Sequence, residues 1–182
     1  MPARRRLGRG VPLVSIRLLV LDVDGVMTDG RLWFGEHGEA FKTFNVRDGY
    51  GIKALLAAGV AVAVISGRDS PAVQRRCEEL GIGHVLQGVT DKGAAFARLS
   101  AELDLPARQC ACVGDDEPDV PLLRQVGLAV AVADAHPLAL AAAHRRTRAA
   151  GGQGAVREVC DWLTAARGAG RVARRRPARS GT

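Results

Sequence analysis

The stretch LLVLDVDGVMTDG, residues 18–30, sets four consecutive aliphatic residues directly before Asp22, Val23, Asp24 and Gly25. A short apolar run that ends at a glycine turn reads as a buried strand. Burying an unpaired carboxylate is expensive, and two like charges this close raise each other's pKa. The acids therefore either mark the strand's exit into a solvated loop or are held together for chemistry. The rest of the chain decides between the two.

Outward from this stretch, short apolar runs alternate with amphipathic segments. IRLLVLD (16–22) reads as a strand, and DGYGIKALLAAG (48–59) as a helix with Asp48 at its N-cap and Gly59 past its end. VAVAVIS (60–66) is a β-branched run of the kind buried on both faces of a parallel sheet. SPAVQRRCEELG (70–81) places Ser70 at an N-cap, Pro71 at the first helical position and Gly81 after the end. There follow strand HVL (84–86), a helix over 90–103, strand QCACVG (109–114), a helix over 118–127, strand LAVAV (128–132), and helices over 136–144 and 155–167. This alternation predicts an α/β fold, a Rossmann-like three-layer sandwich on a parallel sheet. One segment breaks the rhythm. GRLWFGEHGEAFKTFNV (30–46) carries aromatic runs around the turn GEHG and predicts a β-hairpin inserted after the first strand. A two-stranded hairpin that apolar is not stable alone, so it is expected to pack on the body or against another subunit, the subunit interface being the favoured of the two.

The chain has 182 residues and a formal charge of +7, long enough for one domain with a real core. The basicity lies in the ends: residues 1–17 hold five Arg and residues 164–182 six, with no acids, whereas 18–163 hold 15 basic and 19 acidic residues. The expected organisation is an Arg-rich, disordered tail over 1–15, a domain over 16–167 and a second such tail over 168–182. With aromatics at 4% and no aromatic-interleaved basic face in the body, a nucleic-acid partner is not expected. Pro12 and Arg17 interrupt the N-terminal apolar segment before signal or transmembrane length, which argues against membrane insertion. Cys77, Cys110, Cys112 and Cys160 form no CxxC pair and read as reduced, packed thiols of a cytoplasmic protein. The four histidines lack ligand spacing.

Open α/β sheets bind ligands at the carboxyl ends of their strands. The first strand ends in Asp22 and Asp24, the second in Ser66, Gly67 and Arg68; Lys92 opens the third helix, and the fourth strand ends in Gly114, Asp115 and Asp116. Carboxylates gathered on one edge repel unless a cation joins them, and oxygen-only ligands suit Mg2+. A hydroxyl, nearby amides and an ammonium suit a phosphate. Such a set performs phosphoryl transfer through a covalent aspartyl-phosphate.

The order DxDG, strand plus Ser, Lys, GDD resembles the haloacid dehalogenase superfamily. The fuller set DVDGVMTDG (22–30), FNVRDGYGIK (44–53), ISGRDS (65–70), QGVTDK (87–92), VGDDEPDVPLL (113–123), AVADAHP (131–137) and GGQGAVREVCD (151–161) resembles the 3-deoxy-D-manno-octulosonate 8-phosphate (KDO 8-phosphate) phosphatases over about residues 16–166. The resemblance implies a Mg2+-dependent phosphatase of lipopolysaccharide precursor synthesis. It implies Asp22 as nucleophile and metal ligand, and Asp24 as general acid and base whose backbone carbonyl also faces the metal. Asp115 is the implied third metal ligand, with Asp116 and Asp119 supporting. Ser66, Gly67 and Lys92 are implied to hold the phosphoryl oxygens, with Arg68 and Arg47 as candidates for the sugar-acid carboxylate. The short spacings leave no room for a cap domain. In the family a homotetramer with shared active sites takes that place, built through the hairpins, and GGQG is a candidate mobile lid, with a simple turn into the last helix as the alternative. Met27 and Pro118 stand where the family usually has aliphatic residues, and neither removes a functional atom.

Three alternatives stand beside this reading. A nine-carbon sugar acid 9-phosphate would need the same chemistry. A phospho-receiver domain shares the residue types but not their order, since Lys92 here precedes the late acid pair. A catalytically silent assembly module would not need the full set of acids, hydroxyl and ammonium.

Overall fold

The computed structural model describes residues 11–175, with side-chain surroundings as far as residue 168. Strands β1 (Leu18–Leu21), β4 (Ala61–Ile65), β5 (His84–Leu86), β6 (Cys110–Gly114), β7 (Leu128–Ala131) and β8 (Arg145–Arg146) form one sheet in the order β5-β4-β1-β6-β7-β8. Every pairing in it is parallel. β1, β6 and β7 are buried along their whole length, as their unbroken apolar sequences require of strands covered on both faces. The α/β sandwich expected from the alternation is the fold observed; β8, only two arginines long, had no apolar signal to announce it.

The helices are α1 (Val46–Ala57), α2 (Pro71–Leu80), α3 (Lys92–Glu102), α4 (Val120–Leu123), α5 (Pro137–Ala142) and α6 (Ala155–Arg175). The first departs from expectation at its start. Asn45, not Asp48, is the N-cap, its side chain accepting from the Arg47 amide. Asp48 is buried one turn inside and accepts the Arg157 amide at 2.7 Å, pinning α1 to α6. A carboxylate with a partner across the fold does more there than at a cap that asparagine already fills. The last helix runs eight residues past its expected end at 167, and Arg167 donates to the Ile16 carbonyl, fastening it beneath β1. At the other end, Leu13–Ser15 form a 3-10 turn; residues 1–10 and 176–182 of the expected tails lie outside the described residues. All four cysteines are free and buried.

The expected hairpin is present as β2 (Trp33–Gly35) and β3 (Gly38–Phe41), an antiparallel pair separate from the main sheet. Trp33 stacks on Phe41 at 5.2 Å, yet both remain exposed together with Leu32 and Phe34. Phe44 alone of its aromatics packs on the core.

Candidate active site

Register decides where the functional side chains meet. Leu21 of β1 pairs with Val64 of β4 on one side and Val113 of β6 on the other. The three central strands therefore end within one residue of each other, and Asp22, Ser66 and Asp115 emerge at one edge. The chain turns opposite ways from β1, to β4 and to β6, so this edge is also the switch point of the sheet. One cleft is lined by Asp22, Asp24, Ser66, Gly67, Arg68, Lys92, Asp115, Asp116, Pro118 and Asp119. Nine of the ten site residues expected from sequence thus share it.

The loop after β1 is wound tightly enough to bring Asp22 and Asp24 to the same cleft. Gly25 makes that possible: its φ is +88°, and a Cβ there would collide with the Asp115 carboxylate. On the facing loop, Asp116 caps a 3-10 turn (Glu117–Asp119) by accepting the Glu117 amide. Asp119 is buried and accepts the Asp115 amide at 2.8 Å through Oδ2. Its Oδ1 accepts from Lys92 at 2.7 Å, and the same ammonium lies 2.8 Å from Asp22 Oδ1. Lys92 is the first residue of α3, whose N-cap is Asp91.

These contacts set the charge states. Burial would lower the Lys92 pKa, but the Asp22 and Asp119 carboxylates outweigh it and hold the ammonium well above its ordinary value. Asp22 is pushed up to about 6, by burial first and then by the charge of Asp119, against the pull of Lys92. Asp115 is pushed up to about 8, by burial and then by Asp22 and Asp119. One lysine is too little positive charge for three neighbouring acids.

A divalent cation fits that deficit. Asp22, Asp115 and Asp119 each offer a carboxylate oxygen within 4.8 Å of the others. Because Asp119 is already engaged by Lys92 and by backbone amides, Asp22 and Asp115 are the carboxylates left to bind. Hard oxygen donors of this kind match Mg2+. The Asp24 carboxylate turns away from this group, to Lys42 at 2.5 Å and to Arg68 at 3.6 Å.

One expectation needs correction. Arg47 is not in the cleft: it is exposed, lining a separate outer groove with Arg148, Gln153, Arg157 and Trp162. It sits at the first turn of α1, facing away from the sheet edge. The segment GGQG, the candidate lid or helix-entry turn, forms a hydrogen-bonded turn leading into α6. Gly152 donates to the Val26 carbonyl at 2.9 Å, its own carbonyl accepts from Asn45, and the Gly151 amide donates to Asp134. A Cβ on Gly151 would collide with the Gly25 carbonyl, so this glycine serves close approach to the β1 loop, which it buttresses from behind. Lys42 and Glu39, which hold Asp24 and Arg68, escaped the sequence reading. A charged residue among hairpin aromatics looks like a solvated face, and its partner Asp24 is 18 positions away.

Known proteins are similar to this chain in sequence and in fold. A sequence profile of the haloacid dehalogenase-like hydrolase family matches residues 83–158. The Escherichia coli K12 protein 3-deoxy-D-manno-octulosonate 8-phosphate phosphatase KdsC is 53% identical over 154 residues, 85% of this chain and 82% of that one. The chain belongs to the KDO 8-phosphate phosphatase family. A crystal structure of the Yersinia pestis family member superposes with a TM-score of 0.83 at 51% identity, covering 86% of this chain and 84% of that one. The Moraxella catarrhalis member, solved with magnesium ion, phosphate ion and KDO, gives a TM-score of 0.84 at 37% identity over 90% of this chain and 95% of that one. Like the family's phosphatases, this chain is a phosphoric monoester hydrolase by descent.

Proposed function

We propose that this chain hydrolyses KDO 8-phosphate to KDO and phosphate with Mg2+ as cofactor. The observation that carries the reading is the convergence of Asp22, Asp24, Ser66, Lys92 and Asp115 in one cleft of a chain 53% identical to such a phosphatase. An Asp22 oxygen attacks phosphorus, forming an aspartyl-phosphate as the bond to the sugar oxygen breaks. Asp24 gives a proton to the leaving alkoxide, then takes one from the water that cleaves the acyl phosphate and regenerates Asp22. Lys92 (held charged beside Asp22), the Ser66 hydroxyl and the Gly67 amide face the transferring oxygens. Asp22, Asp115 and the Asp24 carbonyl would hold Mg2+, which would neutralise the acids and the phosphoryl group. Arg68 at the rim suits the sugar-acid carboxylate, which a guanidinium pairs bidentately.

No cap domain lies between Gly25 and Ser66 among the described residues, only the hairpin, α1 and the core strand β4. The exposed Trp33, Phe34 and Phe41 favour a homotetramer in which neighbours' hairpins close the cleft. The free buried thiols fit the reducing cytoplasm, and no described helix is long and apolar enough to cross a membrane.

Purified protein assayed against a panel of sugar-acid phosphates tests the reading. The expected result is the highest kcat/KM on the eight-carbon 8-phosphate, loss with chelator and return with Mg2+. Preference for a nine-carbon 9-phosphate would move the substrate within the class; no turnover of any phosphate monoester would remove the function.

A further inference from the structure

Four charged side chains at the rim of the cleft close a ring of alternating sign. Lys42 Nζ lies 2.5 Å from Asp24 Oδ1 and 3.1 Å from Glu39 Oε2. Arg68 answers from the far side, with Nη2 2.9 Å from Glu39 Oε2 and Nε 3.6 Å from Asp24 Oδ2. Ser70 Oγ donates to the other Glu39 oxygen at 2.8 Å, so the hydroxyl at the start of α2 steadies the ring instead of capping its own helix. The Lys42 side chain is only 1% exposed. A lysine normally reaches for water with its ammonium; one this deeply desolvated is held by its two carboxylates. Each oxygen of Asp24 thus faces a different cation, which fixes the plane of the carboxylate as well as its rotamer. Both Lys42 and Glu39 belong to the hairpin segment, whose outer face is the exposed aromatic surface.

We propose that Lys42 is a positioning residue for Asp24, and that the hairpin thereby orients the acid–base group of its own chain besides offering a surface for assembly. The inference rests on the reading of Asp24 as the group that protonates the leaving alcohol and activates water. A positioning role has a distinctive kinetic signature. p-Nitrophenolate leaves without needing a proton, so attack by Asp22 on p-nitrophenyl phosphate does not call on Asp24. Release of the phosphoryl group from Asp22 does.

Lys42→Met and wild type are compared in steady state on KDO 8-phosphate and by stopped flow on p-nitrophenyl phosphate, both with Mg2+. The variant is expected to lose about 10–100-fold in kcat on the sugar phosphate, with KM within about 3-fold. On the aryl phosphate it is expected to keep a p-nitrophenolate burst of near-wild-type amplitude per site, followed by slowed turnover. Burst amplitude counts competent sites, so misfolding and mispositioning separate. Glu39→Gln, which loosens the hold on Lys42 without removing its charge, is expected to give the same pattern with a smaller loss. Unchanged kcat in both variants, or a burst that falls in proportion to turnover, overturns the inference and leaves the function standing. A wild type inactive on both substrates overturns the functional reading and this inference with it.

Discussion

Replacing Lys92 by Met removes the one cation from a buried cluster and leaves its volume nearly filled. The ammonium lies 2.8 Å from Asp22 and 2.7 Å from Asp119, and the three side chains are 6%, 9% and 2% exposed. Deleting one partner of a buried ion pair costs about 3–5 kcal/mol, because the remaining charge is stranded; Met keeps the apolar stem, so little is added for a cavity. In a chain of this size that is about 6–20 °C in Tm. The loss has a pH signature. Without Lys92, which pulls the Asp22 pKa down, Asp22 holds its proton to still higher pH in the folded state than in the unfolded one. The variant therefore binds more protons when folded, and its stability falls further behind wild type as pH rises. Urea unfolding with chelator at pH 5 and pH 8 measures both quantities: the gap is expected to be several kcal/mol at pH 8 and clearly smaller at pH 5. A gap below about 1 kcal/mol at pH 8, or one equal at both pH values, would refute the claim that these three groups form a charge-compensated unit.

Asp22→Asn is expected to abolish turnover while leaving the thermal melt intact or raised, since an amide cannot form the acyl phosphate and relieves the crowding of acids; residual activity above a thousandth of wild type would remove Asp22 as nucleophile. Metal-free wild type should lose stability as pH rises from about 4 through 8, because Asp22 and Asp115 carry folded pKa values of about 6 and about 8 against an ordinary 3.8. The amount is several kcal/mol, and Mg2+ should stabilise progressively more over the same range; a flat profile by calorimetry would contradict the acid-cluster electrostatics. Gly151→Ala should lower kcat and Tm together, because its Cβ meets the Gly25 carbonyl behind the nucleophile loop; a variant matching wild type in both would show that the buttress yields freely. If the proposed homotetramer forms through the hairpins, Phe34→Glu, at the exposed middle residue of β2, should shift the mass by light scattering toward the monomer, and an unchanged assembly would exclude the hairpin as its contact.

Much of this protein was legible because its signals are local. LLVL followed by two acids, the β-branched run before Ser66, and Pro71 with Gly81 around α2 each state a conformation through neighbours in the chain. Parallel strands buried on both faces must alternate with covering helices, and such a sheet gathers its strand ends on one edge. Asp22, Ser66, Lys92 and Asp115 could be grouped from sequence for that reason alone. What the tertiary structure decided are the pairings across long chain separations. Asp48 reads as a helix cap until α6 arrives to claim it. GGQG reads as either a lid or a turn into the last helix until Gly151 is seen against the Gly25 carbonyl, where absence of a side chain means contact. Arg47, six residues past the end of β3 in a hairpin that touches the site, faces outward because the first turn of α1 directs it there. Lys42 reads as a surface charge until Asp24, Glu39 and Arg68 close around it. Sequence reports what a residue is and what lies a few positions away; which carboxylate neutralises a buried ammonium depends on where distant segments meet.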